Sequence, residues 1–220
     1  MKRLLAIVLM VGSCAWATAQ TPPAPNAEAL ARALQQRYQT ITDFSADFVH
    51  TYRGGVLRTQ TSERGTVKVK KPGKMRWVYT APEQKEFVSD GVKIYSHIPQ
   101  DRQVLVSPMP ADGDASTPAL FLSGKGDIVR DFTAAIVESP VAGAVGLKLT
   151  PKKAEAQYDY FVVATSQPGL QIRALATRDR QGGDSVITFM NLKENQGITD
   201  KEFAFRIPKG ADVITNGAGN

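Results

Sequence analysis

Cysteine is nearly absent from this chain: Cys14 is the single one among 220 residues. Without a second cysteine there is no intrachain disulfide and no cysteine metal cluster, and the fold must be held by its core. Histidine is almost as scarce. His50 and His97 lie in separate strand-like stretches without metal-ligand spacing, and no G-x-S-x-G elbow or Walker loop accompanies them. Gly124-Lys125-Gly126 lacks the rest of a phosphate-binding motif. Asp43 with Asp47, and Glu83 with Glu86, read as solvated carboxylates and not as an acid/base pair. The residue supply therefore points away from an enzyme, a metalloprotein and a cofactor-dependent protein. The apolar run Leu4 to Val11 is too short to span a bilayer. The basic residues are spread over alternating strand positions without interleaved aromatics, which excludes a nucleic-acid platform.

The first residues carry an export pattern. Lys2 and Arg3 form a positive start, Leu4 to Val11 an apolar stretch, and Ala17-Thr18-Ala19 a small-residue cleavage site. Residues 1–19 are thus expected to be a signal peptide, 20–25 a proline-rich flexible N-terminus, and 26–216 one domain. Without Lys2 and Arg3 the chain keeps 25 basic against 21 acidic residues, a net charge of +4. An alternative uses Val11-Gly12-Ser13-Cys14 as a loose lipobox, which would leave a lipid-anchored protein.

What remains is strand grammar. Asn26 caps a helix with apolar residues Ala27, Leu30, Leu34, Tyr38 and Ile41 at spacings of three and four. Phe44, Ala46, Phe48, His50 and Tyr52 then alternate with polar neighbours. Strands follow near 59–70, 74–80, 85–89, 92–96 and 103–107, with Lys71-Pro72-Gly73 and Asp90-Gly91 as turns. A loop rich in Pro, Gly, Asp and Ala over 108–116 leads to Thr117-Pro118, which opens the short apolar helix Ala119 to Leu122. A further helical turn is expected near 127–132. The second half predicts strands at 133–138, 147–150, 158–165, 171–179, 185–192 and 203–207.

The fold class expected is mainly β (α+β): an antiparallel sheet of about ten strands, long enough that it must curl, close or be covered. Short helices would cover its inner face. Met75, Trp77 and Tyr79 share one face of a strand and read first as core. The run Ala119 to Leu122 must be buried, and its position after a loop suits a movable cover.

Specific stretches resemble a known family. Ser45-Ala46-Asp47-Phe48, Gly65 to Pro72, Arg76-Trp77, Pro82 and Val88-Ser89-Asp90-Gly91 occur in the order seen in the periplasmic outer-membrane lipoprotein carriers, LolA. Thr117-Pro118 with its apolar run looks like that family's lid helix. Leu147 to Pro151, Phe203-Ala204-Phe205 and Pro208 to Val213 resemble its closing strands, so the likeness covers essentially the whole chain after the signal.

The resemblance implies a half-open antiparallel β-barrel closed by short helices, and a periplasmic chaperone that takes the acyl chains of lipoproteins into the hydrophobic cavity so formed. It would receive them from an inner-membrane lipoprotein-releasing ABC transporter and pass them to an outer-membrane lipoprotein receptor, as a monomer and without a cofactor. By position Met75 and Trp77 would line the cavity, while Leu120, Phe121 and Leu122 would form the lid. Phe44, Phe48 and Tyr79 join the cavity on strand periodicity. The family commonly has an arginine, which bonds the lid, where this chain has Lys71. Lys71 is thus either a lid latch with a weaker, non-planar donor or a surface lysine at a strand end. Three alternatives keep the fold: an anchored receptor if Cys14 is acylated, an envelope-stress sensor of similar half-barrel, or a carrier of another lipid or glycolipid.

Overall fold

Residues 26–54, 60–110, 121–154, 158–179 and 182–216 are described by the computed structural model. Helix α1 (Ala27–Gln39) begins at Asn26, whose side-chain oxygen accepts from the backbone N–H groups of Glu28 and Ala29 at 2.9 and 3.3 Å. Its buried stripe is Leu30, Ala31, Leu34 and Tyr38, the spacing of one helical face.

Twelve strands make one sheet. The first half of the chain supplies β1 (Asp43–Arg53), β2 (Gln60–Lys70), β3 (Lys74–Ala81), β4 (Lys85–Asp90), β5 (Lys93–Ile98) and β6 (Gln103–Pro108). The second half supplies β7 (Phe132–Val137), β8 (Ala144–Pro151), β9 (Tyr158–Ser166), β10 (Ile172–Asp179) and β11 (Asp184–Glu194), followed by β12 (Asp212–Thr215). In space the order is β12-β6-β5-β4-β3-β2-β1-β11-β10-β9-β8-β7, so two meanders join where β1 pairs with β11. β7 and β12 are the two edges and do not meet, which leaves an open half-barrel. A short helix α2 (Ile128–Asp131) and 3-10 turns at Pro99–Asp101 and Asp200–Phe203 complete the elements.

Alternation along the strands sends one set of side chains to the concave face. Phe44, Ala46, Phe48, Val67, Val69, Met75, Trp77, Tyr79, Leu147, Leu149, Phe161 and Phe189 belong to one buried cluster with α1. Asp90 closes the β4–β5 turn by accepting from the N–H groups of Val92 and Lys93, both at 2.8 Å, with Gly91 at φ +97°.

Four expectations need correction. The described residues form twelve strands and not about ten. Residues 203–207 are not a strand: Phe203 ends a 3-10 turn, is fully buried, and precedes an irregular segment crossing the convex face. That segment is tied down by charge and stacking. Glu202 meets Lys68 at 2.5 Å, Asp200 meets Lys70 at 2.7 Å and Lys74 at 2.8 Å, and Phe205 stacks on Tyr95 at 5.0 Å. The alternation of Phe203 and Phe205 reflects packing on the sheet and not pairing within it. The third correction is β12, which pairs with β6 in parallel, so the sheet is not purely antiparallel. Asp43 is also not solvated: it is buried and accepts from the N–H groups of Gln196 at 2.7 Å and Gly197 at 3.2 Å.

Gly65 sits where the backbone of β3 crowds β2. A bulge between Arg64 and Gly65 brings β3 so close that a Cβ on Gly65 would lie 2.0 Å from the Val78 carbonyl oxygen and 2.9 Å from the Phe48 ring. Gly65→Ala is expected to cost about 2 kcal/mol or more, read as a lower urea midpoint. An unchanged midpoint would mean that the bulge relaxes without strain.

Candidate apolar binding site

Across β1 to β4 the concave face carries a continuous aromatic wall. Phe48 meets Trp77 edge-on at 5.1 Å and Tyr79 at 4.8 Å, and Trp77 lies 6.2 Å from Phe189 of β11. Phe44 and Met75 extend it toward the end where α1 finishes, and all five residues proposed from the sequence for the cavity, Phe44, Phe48, Met75, Trp77 and Tyr79, are buried in it.

The cover comes from α1 and from Phe121-Leu122, which are helical and fully buried. Phe121 stacks on Tyr38 at 5.3 Å and leans on Phe161 at 5.9 Å. Leu120, the third residue expected in the lid, lies outside the described residues, as do Thr117-Pro118.

With the cover seated, the interior is filled. The void between Tyr38, Ile41, Phe44, Leu122, Ile172, Phe189 and Leu192 holds about 10 Å³. A single water needs about that much, and ligand pockets of drug size start at roughly 300 Å³. The apolar interior therefore becomes a cavity only when Phe121 and Leu122 move. A groove of about 1220 Å³ beside Lys71 is lined by Gln35, Lys125, Asp127, Arg130 and Asp131, among others, and is too polar to seat hydrocarbon.

Among the described residues, hydrogen bonds from α1 and from the β2–β3 turn reach the cover. The Tyr38 hydroxyl donates to the Leu122 carbonyl at 2.5 Å, and the Gly73 N–H donates to the Ser123 carbonyl at 2.8 Å. Gly73 is itself fixed, since the Ser89 hydroxyl donates to its carbonyl at 2.6 Å. Lys71 works from the side. Its ammonium donates to the Tyr38 carbonyl at the end of α1 and sits 3.6 Å from the Tyr38 ring centroid. A Cβ on Gly124, which has φ +80°, would stand 2.7 Å from the Lys71 Cδ. Lys71 thus braces the tyrosine that bonds the cover and fills the space beneath Gly124, while its charge bonds the helix.

Burial pushes the Lys71 ammonium down to about 8, with the Arg37 guanidinium adding to the shift and Glu194 opposing it. Burial, with Glu194, pushes the Tyr38 phenol far up, so its hydroxyl remains a donor.

Sequence periodicity placed Tyr38 on the buried stripe but carried no sign that its hydroxyl reaches the cover. Phe161 and Phe189 were also missed as neighbours of the lid and the wall, because they come from strands over a hundred residues from Phe48 in the chain. A search for aromatics at inward strand positions of the second half would have found both.

The sequence matches the family model described as "Outer membrane lipoprotein carrier protein LolA" over residues 39–206. The chain belongs to this family. Among curated relatives, an outer-membrane lipoprotein carrier protein of Chromohalobacter salexigens is 34% identical over 194 residues, 87% of this chain and 88% of the relative. One from Hahella chejuensis is 31% identical over 186 residues, 83% of this chain and 86% of the relative. An uncharacterised conserved protein of Thermus thermophilus has the same fold, with a TM-score of 0.53 at 13% identity, covering 84% of this chain and 99% of that one. Within the LolA family frame, the lysine before Pro72 places a point charge on Tyr38 where a planar arginine fork was expected to bond the lid.

Tyr38→Phe keeps the stack on Phe121 and leaves the Leu122 carbonyl unpaired in the interior. Stability should fall by about 1–3 kcal/mol, and hydrogen exchange at the Gly124 amide should speed up. Unchanged exchange would show that the hydroxyl does not hold the cover. Lys71→Met keeps the stem without the charge. Because the folded-state value of Lys71 lies below its ordinary 10.5, the unfolded chain binds the extra proton between about pH 8 and 10.5, so stability rises with pH there. The stability of the unmodified protein relative to Lys71→Met should therefore grow between about pH 7 and about pH 10 in paired urea titrations. A difference flat with pH would place the ammonium in solvent.

Proposed function

We propose that this protein is a periplasmic, non-catalytic chaperone that carries lipoproteins by sheltering their acyl chains against the wall of Phe44, Phe48, Met75, Trp77 and Tyr79. Phe121 and Leu122 occupy that wall in the closed state and leave it as the acyl chains enter. The observation that carries the reading is an aromatic, largely apolar inner wall whose space is already filled by an apolar cover.

The energetics suit transport. An acyl chain of about sixteen carbons gains roughly 12 kcal/mol from leaving water, at about 0.8 kcal/mol per methylene. Phe121 and Leu122 give up burial of the same kind when displaced. The cover therefore competes with cargo: it keeps the empty wall from water and lowers the net affinity enough for cargo to be passed on. Lipoprotein carriage also follows from membership of the family, whose relatives are named outer-membrane lipoprotein carrier proteins.

The export pattern at residues 1–19 supports a periplasmic location, and the flow implied runs from an inner-membrane lipoprotein-releasing ABC transporter to an outer-membrane lipoprotein receptor. The carrier acts as a monomer in this scheme, with residues 26–216 as its folded unit. Lys71 serves as the lid brace through Tyr38.

Purified protein added to spheroplasts depleted of their own carrier should release newly made outer-membrane lipoproteins as soluble one-to-one complexes. Trp77 reports the seat directly, because the other tryptophan, Trp16, lies in the signal. A lipopeptide with brominated acyl chains should quench Trp77 fluorescence on binding. Absence of release would sink the carrier reading, and binding without quenching would remove Trp77 from the seat.

A further inference from the structure

The aromatic wall does not stay apolar along its whole length. Six residues along β1 from Phe44, roughly 20 Å at 3.3–3.4 Å per residue, the inward position is His50. His50 pairs across to Glu63 of β2, its ring lies 6.3 Å from that of Tyr79 of β3, and Lys85 of β4 donates to Glu63 at 2.6 Å while sitting 4.4 Å from the Tyr79 ring centroid. Three ionisable side chains thus close the inner face at the end away from Tyr38 and Leu122. Each is about four-fifths buried, with side-chain exposures of 22% for His50, 17% for Glu63 and 24% for Lys85.

A purely structural role does not use this cluster fully. The His50 Nδ1 atom is buried without a hydrogen bond, 3.4 Å from a Glu63 oxygen, while Nε2 lies 2.9 Å from the Ser185 hydroxyl. Burial lowers the imidazole below its ordinary value, with Lys85 adding to the effect and Glu63 opposing it, so the ring is neutral at pH 7. The electrostatically favoured tautomer accepts from Ser185 at Nε2 and turns Nδ1–H toward the Glu63 carboxylate. Lys85 has three donors, of which one goes to Glu63 and one side faces the Tyr79 ring. With both His50 nitrogens turned to partners within the cluster, the end of the wall presents the Lys85 N–H donors beyond the one given to Glu63.

We infer that Lys85, held in place by Glu63 and His50, forms the polar seat for the ester and amide oxygens of an acylated cysteine whose chains lie along the aromatic wall. This rests on the carrier reading and refines it. An acylated cysteine has fatty ester carbonyls beside its hydrocarbon, all of them acceptors, and a wall that ends in donors matches that order of apolar then polar groups. The seat also fixes direction: the acyl ends point toward the cover at Leu122 and the peptide leaves past Lys85.

The test compares a tripalmitoyl cysteinyl peptide with its dialkyl-ether analogue, which has the same hydrocarbon without ester carbonyls. The mature protein should bind the ester form roughly ten-fold more tightly than the ether form, the effect of one hydrogen bond to a charged donor. Lys85→Met and His50→Phe, which keep volume and are confirmed folded by circular dichroism, should bind both forms alike at about the ether affinity. A short-chain diacylphosphatidylglycerol and its ether analogue locate the source of the esters: an ester preference for the lipopeptide alone assigns the seat to acylated cysteine, and one for both assigns it to diacylglyceryl esters in general. Equal binding of ester and ether forms by the unmodified protein, or a preference that survives both substitutions, overturns the seat and leaves the carrier reading standing. If neither lipopeptide binds, it is the carrier reading that fails.

Discussion

An open sheet with an apolar concave face has to be covered by something, and that requirement organises this molecule. A closed barrel would fill its own interior, but β7 and β12 never meet, so the wall of Phe48, Trp77, Tyr79 and Phe161 depends on α1 and on Phe121-Leu122 for its shielding from water. The shielding is apolar and non-directional. Among the described residues, directional contacts that position it include the Tyr38 hydroxyl on Leu122 and the Gly73 amide on Ser123. Burial thus supplies the driving force for closing, and hydrogen bonds decide where closing happens.

The same division explains why the convex face is treated differently. There the segment after β11 lies across β3 and β4, fixed by Lys68, Lys70 and Lys74 against Glu202 and Asp200, with Arg76 donating to the Glu202 carbonyl at 2.8 Å. Those ion pairs are solvent-exposed and individually weak, but they act together with the buried Phe203 and the Tyr95–Phe205 stack. One face of the half-barrel is therefore strapped by charge and aromatic contact. The other is capped by the apolar stripe of α1 and by Phe121-Leu122, and it is on this face that the proposed exchange of cover for acyl chain would take place.

Much of this was legible in the chain order. The helix from Asn26, the turn at Lys71-Pro72-Gly73, eleven of the strands and the inward set Phe44, Phe48, Met75, Trp77 and Tyr79 follow from spacing and turn chemistry, because these are local properties of consecutive residues. The strand at Asp212–Thr215 was not, since four residues beside an already paired edge carry little alternation, and its parallel partner is a hundred residues away. Phe203 to Ile207 alternate like a strand and are not one: alternation records which side chains are buried, not what buries them.

What the sequence alone determined was the class of surface each segment would present: a largely apolar inner face, scarce catalytic residues, and the family to which the chain belongs. What only the tertiary structure decided was the state of that surface. The interior is filled and not hollow, Lys71 bonds the end of α1 through Tyr38, Asp43 is buried under backbone amides, and His50, Glu63 and Lys85 meet at the far end of the wall. The physical reason is reach. Periodicity reports which side of an element a residue takes, whereas a hydrogen bond or a filled void depends on the ångström-scale distance between residues that the chain order leaves far apart.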